Sequence, residues 1–199
     1  MTTDSAPVGV TPRGTVLFAP ISTVLPGQVP APADNAFPTG VARTTDGGAH
    51  WQTVLPVDDP NDKTAQHIGL IPWLYADHRT GRIWYATPGP AICGAMISHS
   101  DDEGLTWTDN DSVGCPGQGG MSVFEGPAPR GSAQPAGYPH VVYYCANLQD
   151  NGPHLMYCYR SLDGGASFKQ VGGFPNGAPP PSCQDSLDGP RGRAVAPDG

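Results

Sequence analysis

Three acidic residues of the chain share one short pattern, and a carboxylate on a glycine turn is a common way to present an acid, a base or a nucleophile. The pattern is Ser/Thr-x-Asp-x-Gly-x-x-aromatic, called the box motif below. Its copies are Thr44, Asp46, Gly48 and Trp51; Ser100, Asp102, Gly104 and Trp107; and Ser161, Asp163, Gly165 and Phe168. A catalytic acid is normally needed once per site, whereas this one recurs. We therefore interpret the box as structural: the Asp accepts backbone hydrogen bonds, the Gly adopts positive φ, and the aromatic side chain packs the turn against its sheet.

The two glutamates are the other acids that could do chemistry. Glu103 lies inside the second box, where we expect an exposed side chain. Glu125 follows the apolar run MSVF, which is typical of an inner strand. Glu125 is therefore the one catalytic candidate, and an acid in a surface loop is the alternative.

Tyrosine and histidine provide no ordered constellation. Tyr143 and Tyr144 lie in a predicted strand and are interpreted as core or strand-face aromatics. His67, His78 and His140 fall near predicted strand ends, but no Ser, His and Asp ordering selects a catalytic triad among them.

Metal-binding patterns are equally sparse. The chain has no CxxC, HExxH or EF-hand spacing, so we predict no metal and no cofactor. The acidic run DDPND could contact calcium through Asp58, Asp59 and Asp62, with a solvated loop as the alternative.

The five cysteines indicate cross-linked hairpins. Cys145 and Cys158 flank the loop LQDNGPH symmetrically, and Cys93 and Cys115 flank the second box in the same way, so each pair is a candidate disulfide. Separate buried thiols are the alternative, and Cys183 is left without a partner. Paired cysteines favour an exported protein. We therefore expect a secreted protein, although the N-terminus of this chain carries no signal peptide.

The elements that must position these residues are strands. The segments GTVLFA, GRIWYA and HVVYYCA precede the three boxes and are rich in β-branched and aromatic residues, whereas 27 Gly and 24 Pro oppose long helices. The repeat length of roughly 60 residues, with about four strands, is typical of propeller blades. We place blades at about 8–58, 66–115 and 120–175, and the start of another at about 183–199, because APDG at the chain's end matches TPRG before the first inner strand.

The three boxes resemble the Asp-box, or BNR, repeat of the sialidase superfamily. The resemblance implies an all-β fold: a sialidase-like β-propeller of about three four-stranded antiparallel blades plus the start of a fourth. It places each box between the third and fourth strands of a blade, away from the active centre. It also implies that residues 1–199 form part of a single propeller domain, completed by the remaining blades of the full-length chain.

The resemblance further implies a search for sialidase chemistry: three arginines on a sugar carboxylate, a Tyr nucleophile polarised by a Glu, and an Asp acid/base. The expected arginine motif of the first blade is absent, and Arg13 in TPRG is predicted to lie in a turn. Two functions stay open, an exo-acting glycoside hydrolase of the sialidase type and a non-catalytic Asp-box propeller that binds a protein or glycan.

Composition excludes two other classes of partner. The net charge of −8 and the lack of a Lys/Arg cluster oppose nucleic-acid binding. No apolar run approaches the ~20 residues that a membrane span requires, so we expect no membrane insertion.

Overall fold

Strands form all the regular structure that can be described. The computed structural model describes residues 7–19, 40–57, 72–88, 95–113, 119–127, 138–147 and 156–172. Within these ranges no helix occurs, and hence none that could cross a membrane. The strands are β1 (Val8–Val10), β2 (Val16–Phe18), β3 (Val41–Thr44), β4 (Gln52–Val54), β5 (Trp73–Ala76), β6 (Ile83–Pro88), β7 (Ala95–Ser100), β8 (Thr108–Val113), β9 (Gly119–Gly126), β10 (Val141–Asn147), β11 (Met156–Ser161) and β12 (Lys169–Gly172).

These strands form three four-stranded antiparallel sheets in which neighbours in sequence are neighbours in space. The first sheet has the order β1-β2-β3-β4, the second β5-β6-β7-β8 and the third β9-β10-β11-β12. The connections are therefore all between adjacent strands, which is the simplest antiparallel topology. The prediction of an all-β fold built from four-stranded antiparallel sheets is confirmed.

The chain divides into two compact units. One comprises Met1–Pro90 and Ser98–Asp109, and the other comprises Ala91–Ile97 and Asn110–Gly199. The first sheet lies wholly in the first unit, and the third sheet lies wholly in the second.

The core of the first unit lies between two sheets. One face of the first sheet contributes aliphatic residues from β2, β3 and the residue after β2. The facing side chains come from β5, β6 and the second box. Together the buried members are Leu17, Ala19, Val41, Leu74, Ala76, Ile83, Tyr85 and Trp107. The ring centroids of Tyr85 and Trp107 are 6.4 Å apart in an edge-to-face arrangement, a favoured geometry for buried aromatics.

In the second unit, the third sheet carries a cross-strand disulfide. Cys145 of β10 and Cys158 of β11 are directly opposed, with Cα atoms 4.2 Å apart, and their sulfurs are bonded. The sequence prediction for this pair is thus confirmed. The predicted pair Cys93 and Cys115, together with Cys183, lies outside the described residues.

Two neighbouring tyrosines of β10 occupy opposite faces of the third sheet. Tyr144 is fully buried and packs against Tyr159, with ring centroids 6.1 Å apart. Tyr143 is half-buried and stacks on Phe124 with an interplanar angle of 16°. Both therefore act as packing aromatics, in agreement with their sequence interpretation.

Candidate functional site

Each box forms the turn between the third and fourth strands of its sheet. The first joins β3 to β4, the second joins β7 to β8, and the third joins β11 to β12. In every box the Ser or Thr is the last residue of the third strand. The Asp therefore lies just beyond the last backbone hydrogen bonds of that strand. The box thus supplies partners for backbone groups that the sheet no longer satisfies.

The three boxes share one hydrogen-bond network. The Ser or Thr hydroxyl donates to Oδ1 of the Asp over 2.7–2.8 Å, and it accepts from the N–H of the box Gly over 2.8–3.1 Å. Oδ1 also accepts from the backbone N–H four residues after the Asp, over 2.8–3.0 Å. Oδ2 hydrogen-bonds the side chain of that same residue, which is His50, Thr106 or Ser167. Both oxygens of each box carboxylate are therefore engaged inside their own turn.

The turn needs two consecutive residues in the left-handed region of φ. Gly48, Gly104 and Gly165 have φ of 95°, 83° and 97°. The residue before each is glycine in the first and third boxes, but in the second box it is Glu103, with φ of 65°. A non-glycine residue is uncommon there, and it is held only where its surroundings fix it.

Surrounding contacts do fix Glu103, and they correct one expectation. The Thr11 hydroxyl donates to its Oε2 over 2.5 Å, and Nε of Arg43 donates to its carbonyl oxygen over 2.6 Å. Glu103 is half-buried, not exposed as the sequence interpretation assumed, because the second box packs against the first sheet.

The hydrogen bonds also keep the box carboxylates ionised. The backbone N–H of His50, followed by the His50 side chain and the Thr44 hydroxyl, lowers the pKa of Asp46 from 3.8 to about 2. For Asp102 and Asp163 burial opposes ionisation, yet the combined hydrogen bonds of the turn still lower the pKa of both. A carboxylate with a lowered pKa is a weak proton donor or acceptor near neutral pH.

The box aromatics differ in their burial. Packing of the turn against a sheet, which we expected for each of them, is extensive in one box and slight in another. Trp107 is 6% exposed, whereas Trp51 is 52% exposed and Phe168 is half-buried. Nε1 of each tryptophan donates to the carbonyl of its box Gly over 3.1 Å, so the indoles adopt the same local pose. No described residue covers the outer side of Trp51, so the expected packing of the aromatic against a sheet is weakest in the first box.

Glu125 is the centre of a buried polar cluster in the second unit. It lies near the end of β9, and its side chain is only 2% exposed. The Tyr138 hydroxyl donates to Oε1 over 2.5 Å, and Nδ1 of His140 hydrogen-bonds Oε2 over 2.8 Å. The rings of Tyr138 and His140 meet edge to face, with centroids 6.0 Å apart. Glu125 is thus not an acid of a surface loop.

Sequence reasoning named Glu125 and His140 but missed Tyr138. The pairing of β9 with β10 places Val142 opposite Glu125, so the residues just before β10 fold back beside the end of β9. Residues 128–137 separate the two strands in sequence, and this separation is too long for the spacing of residues to predict which of them lie opposite each other. A signal did exist in the alternation Tyr138, His140 ahead of an apolar strand, because period-two polar residues share one side of an extended chain.

Chemically, the cluster pairs a carboxylate with a phenol. A carboxylate in hydrogen-bond contact with a tyrosine hydroxyl can accept its proton while the phenol oxygen attacks an electrophile. The hydrogen bond from His140 to the second carboxylate oxygen fixes the orientation of Glu125. This arrangement has the parts of a tyrosine nucleophile and its base.

The other two histidines and the one arginine named from the sequence lie elsewhere, and Arg82, which the sequence did not single out, pairs with an acid. His78 is exposed in the turn after β5, and His67 lies outside the described residues, as do Asp58, Asp59 and Asp62. Arg13 is exposed in the turn between β1 and β2, where it was predicted. Arg82 forms a two-pronged ion pair with Asp101 in which both contacts are 2.6 Å.

Comparison with known proteins adds no family. No protein-family model matches the chain, and no curated protein matches it either.

Proposed function

We propose that the chain is part of a sialidase-like β-propeller, completed by further blades, and that it acts as an exo-acting glycoside hydrolase on glycans. Two observations support the architecture: the box occupies the same strand-to-strand turn in all three sheets, and the first sheet packs face to face against β5, β6 and the second box. The disulfide between Cys145 and Cys158 supports an extracellular location.

The hydrogen bond from the Tyr138 hydroxyl to Glu125 carries the proposed chemistry. In the first step, Tyr138 Oη forms a bond to the anomeric carbon while Glu125 takes the phenol proton. The glycosidic bond breaks, and the leaving oxygen is protonated by an acid. Water then attacks the same carbon and gives a proton to the deprotonated acid, while the bond from that carbon to the tyrosine oxygen breaks and Glu125 returns its proton to the phenol oxygen, so the sugar is released. This double displacement retains the anomeric configuration.

The proposed hydrolase activity is tested by measuring turnover of a fluorogenic sialoside and of related glycosides. We expect Glu125→Gln to lower kcat by about 10²–10⁴-fold, the usual size of a general base's contribution. Tyr138→Phe should abolish formation of the covalent intermediate. Tyr143→Phe is the matched control, since it removes a phenol from the same sheet without touching Glu125. Absence of turnover on every glycoside would refute the hydrolase.

A second candidate, a non-catalytic propeller that binds a protein or glycan, is favoured by a different observation. Both oxygens of Glu125 are engaged, and Tyr138 is buried beside it, which is also the arrangement of a polar network that stiffens a sheet. For this function, glycan or protein binding should persist in Glu125→Gln while no glycoside is cleaved. Binding of the unaltered protein and of Glu125→Gln to a glycan array, compared at equal protein concentration, distinguishes the two candidate functions.

A further inference from the structure

The second sheet contains a half-buried histidine that the proposed chemistry does not use. His99 lies in β7, and its ring packs against the indole of Trp84 in β6, with ring centroids 5.1 Å apart. Trp84 is fully buried. The imidazole has therefore lost part of the water that would solvate a positive charge, and this loss favours its neutral form.

A positive charge already lies against the same indole. The guanidinium carbon of Arg82, which directly precedes β6, is 5.4 Å from the centroid of the Trp84 ring. Arg82 also makes its two-pronged ion pair with Asp101, just beyond the end of β7, so its position is fixed. Protonation of His99 would therefore place a second cation beside the one that Arg82 contributes.

The groups around His99 oppose its protonation on balance. Asp101 is the acid that favours the imidazolium, but its carboxylate is paired with Arg82 and its side chain is 60% exposed. Tyr75, which lies opposite Trp84 on β5, is uncharged in acid. Burial, followed by the charge of Arg82, lowers the pKa of His99 from 6.5 to about 4.

We propose that His99 is an acid-sensitive switch of the second sheet. The neutral imidazole packs on Trp84 and holds β7 against β6. The protonated imidazole loses this contact because of its own solvation and its repulsion from Arg82, and the sheet is destabilised at mildly acidic pH. All four side chains of the switch belong to the first unit, so the proposal holds whether or not the chain cleaves glycans.

The pH window of the switch follows from the two states of His99. In the unfolded chain the imidazole takes up a proton near its ordinary pKa of 6.5, whereas in the folded protein it does so only near 4. The unfolded state binds more protons between these values, so the protein loses stability as the pH falls from about 6.5 to about 4. The box carboxylates act below this window, since their unfolded pKa is near 3.8.

Urea denaturation of the whole chain from about pH 7 to about pH 4.5 tests the switch. We expect the equilibrium constant for unfolding to rise by at least about tenfold over this range in the unaltered protein. His99→Phe keeps an aromatic ring against Trp84 but cannot take up a proton, so the rise should be largely absent. His78→Gln is the matched control, because His78 is exposed in the same unit, and it should retain the rise.

NMR of the unaltered protein gives a second measurement, which needs no variant to fold. The ring protons of His99, assigned through their proximity to Trp84, should keep the chemical shift of a neutral imidazole down to about pH 5. Titration of His99 near pH 6.5 would overturn the proposal. So would an unfolding constant that does not rise between about pH 7 and pH 4.5, or a rise that persists in His99→Phe or disappears in His78→Gln.

Discussion

At the scale of single residues, Trp51 and Trp107 show how neighbours, and not the motif, determine what a side chain contributes. Both indoles donate the same hydrogen bond within their boxes. Only Trp107 has the first sheet on its outer side. The hydrophobic contribution scales with apolar area removed from water, so the two positions should differ strongly in energy.

Alanine substitution of each tryptophan measures that difference. Trp107→Ala should lower the free energy of unfolding by about 3–5 kcal/mol, as expected for a buried aromatic residue. Trp51→Ala should lower it by under about 1 kcal/mol in dilute protein, because exposed sites away from special features contribute little. Urea denaturation followed by circular dichroism gives both values. Equal losses would show that the box indole acts only within its own turn.

The box residues themselves were predictable, and their surroundings were not. Asp46 forms a hydrogen-bond network with Thr44, two residues earlier, and Thr44 in turn bonds Gly48. This network follows from the local spacing of the three residues. The burial of Trp107 and the left-handed Glu103 depend on the first sheet, which is distant in sequence. Local patterns contain no information about which sheet covers a turn.

At the scale of elements, the second box packs tightly against β2. A Cβ atom added to Gly104 would lie 2.7 Å from Cδ2 of Leu17, a buried side chain. Gly47 of the first box also has positive φ, 72°, but an added Cβ there would meet nothing within 4 Å. The two glycines therefore separate backbone strain from close packing.

Gly47→Ala should destabilise the protein by about 1–2 kcal/mol, the usual strain of an L-residue in the left-handed region. Gly104→Ala should lose a further ~1–3 kcal/mol, because the added methyl group overpacks the contact with Leu17. Thermal unfolding of the two variants side by side measures this. If the two lose equal stability, the box does not press against β2.

The cross-strand disulfide could be predicted from the sequence, because Cys145 and Cys158 lie at equal distances from the middle of their hairpin loop. A hairpin of that register places them opposite each other. The cluster around Glu125 was only half found. Tyr138 and His140 are separated from Glu125 by a longer stretch of sequence, in which no turn motif predicts the register of the two strands.

At the scale of the whole molecule, the repeated boxes make stability depend on pH. The pKa of Asp46, Asp102 and Asp163 is lowered in the folded state. A group whose folded pKa is depressed stabilises the fold above its unfolded pKa, near 3.8, and that contribution is lost as the pH falls toward the folded value. For Asp46 this window extends down to about 2.

The free energy of unfolding should therefore decline below about pH 4, with three carboxylates contributing to the slope. Denaturant titrations from pH 6 to about pH 2 measure the decline. In Asp102→Asn the protein should be less stable at pH 6 but lose less on acidification. A slope that is unchanged in this variant would contradict the role given to the box carboxylates.

The repeat of boxes and strands was enough to predict the all-β architecture, since the segments around Ala19, Ala86 and Ala146 have strand composition and each precedes a box. The division into two compact units was not predicted. Repeats of similar length predict similar blades, whereas the division reflects which segments of the backbone lie close together in three dimensions.

The contacts of Glu103 also affect how the chain folds during synthesis. Its side chain and carbonyl hold Thr11 and Arg43, which precede it by 92 and 60 residues. At ~5–20 residues per second, a ribosome needs about 3–12 s to reach Glu103 after making Arg43. The first sheet must therefore wait for residues of the second before its last contacts close.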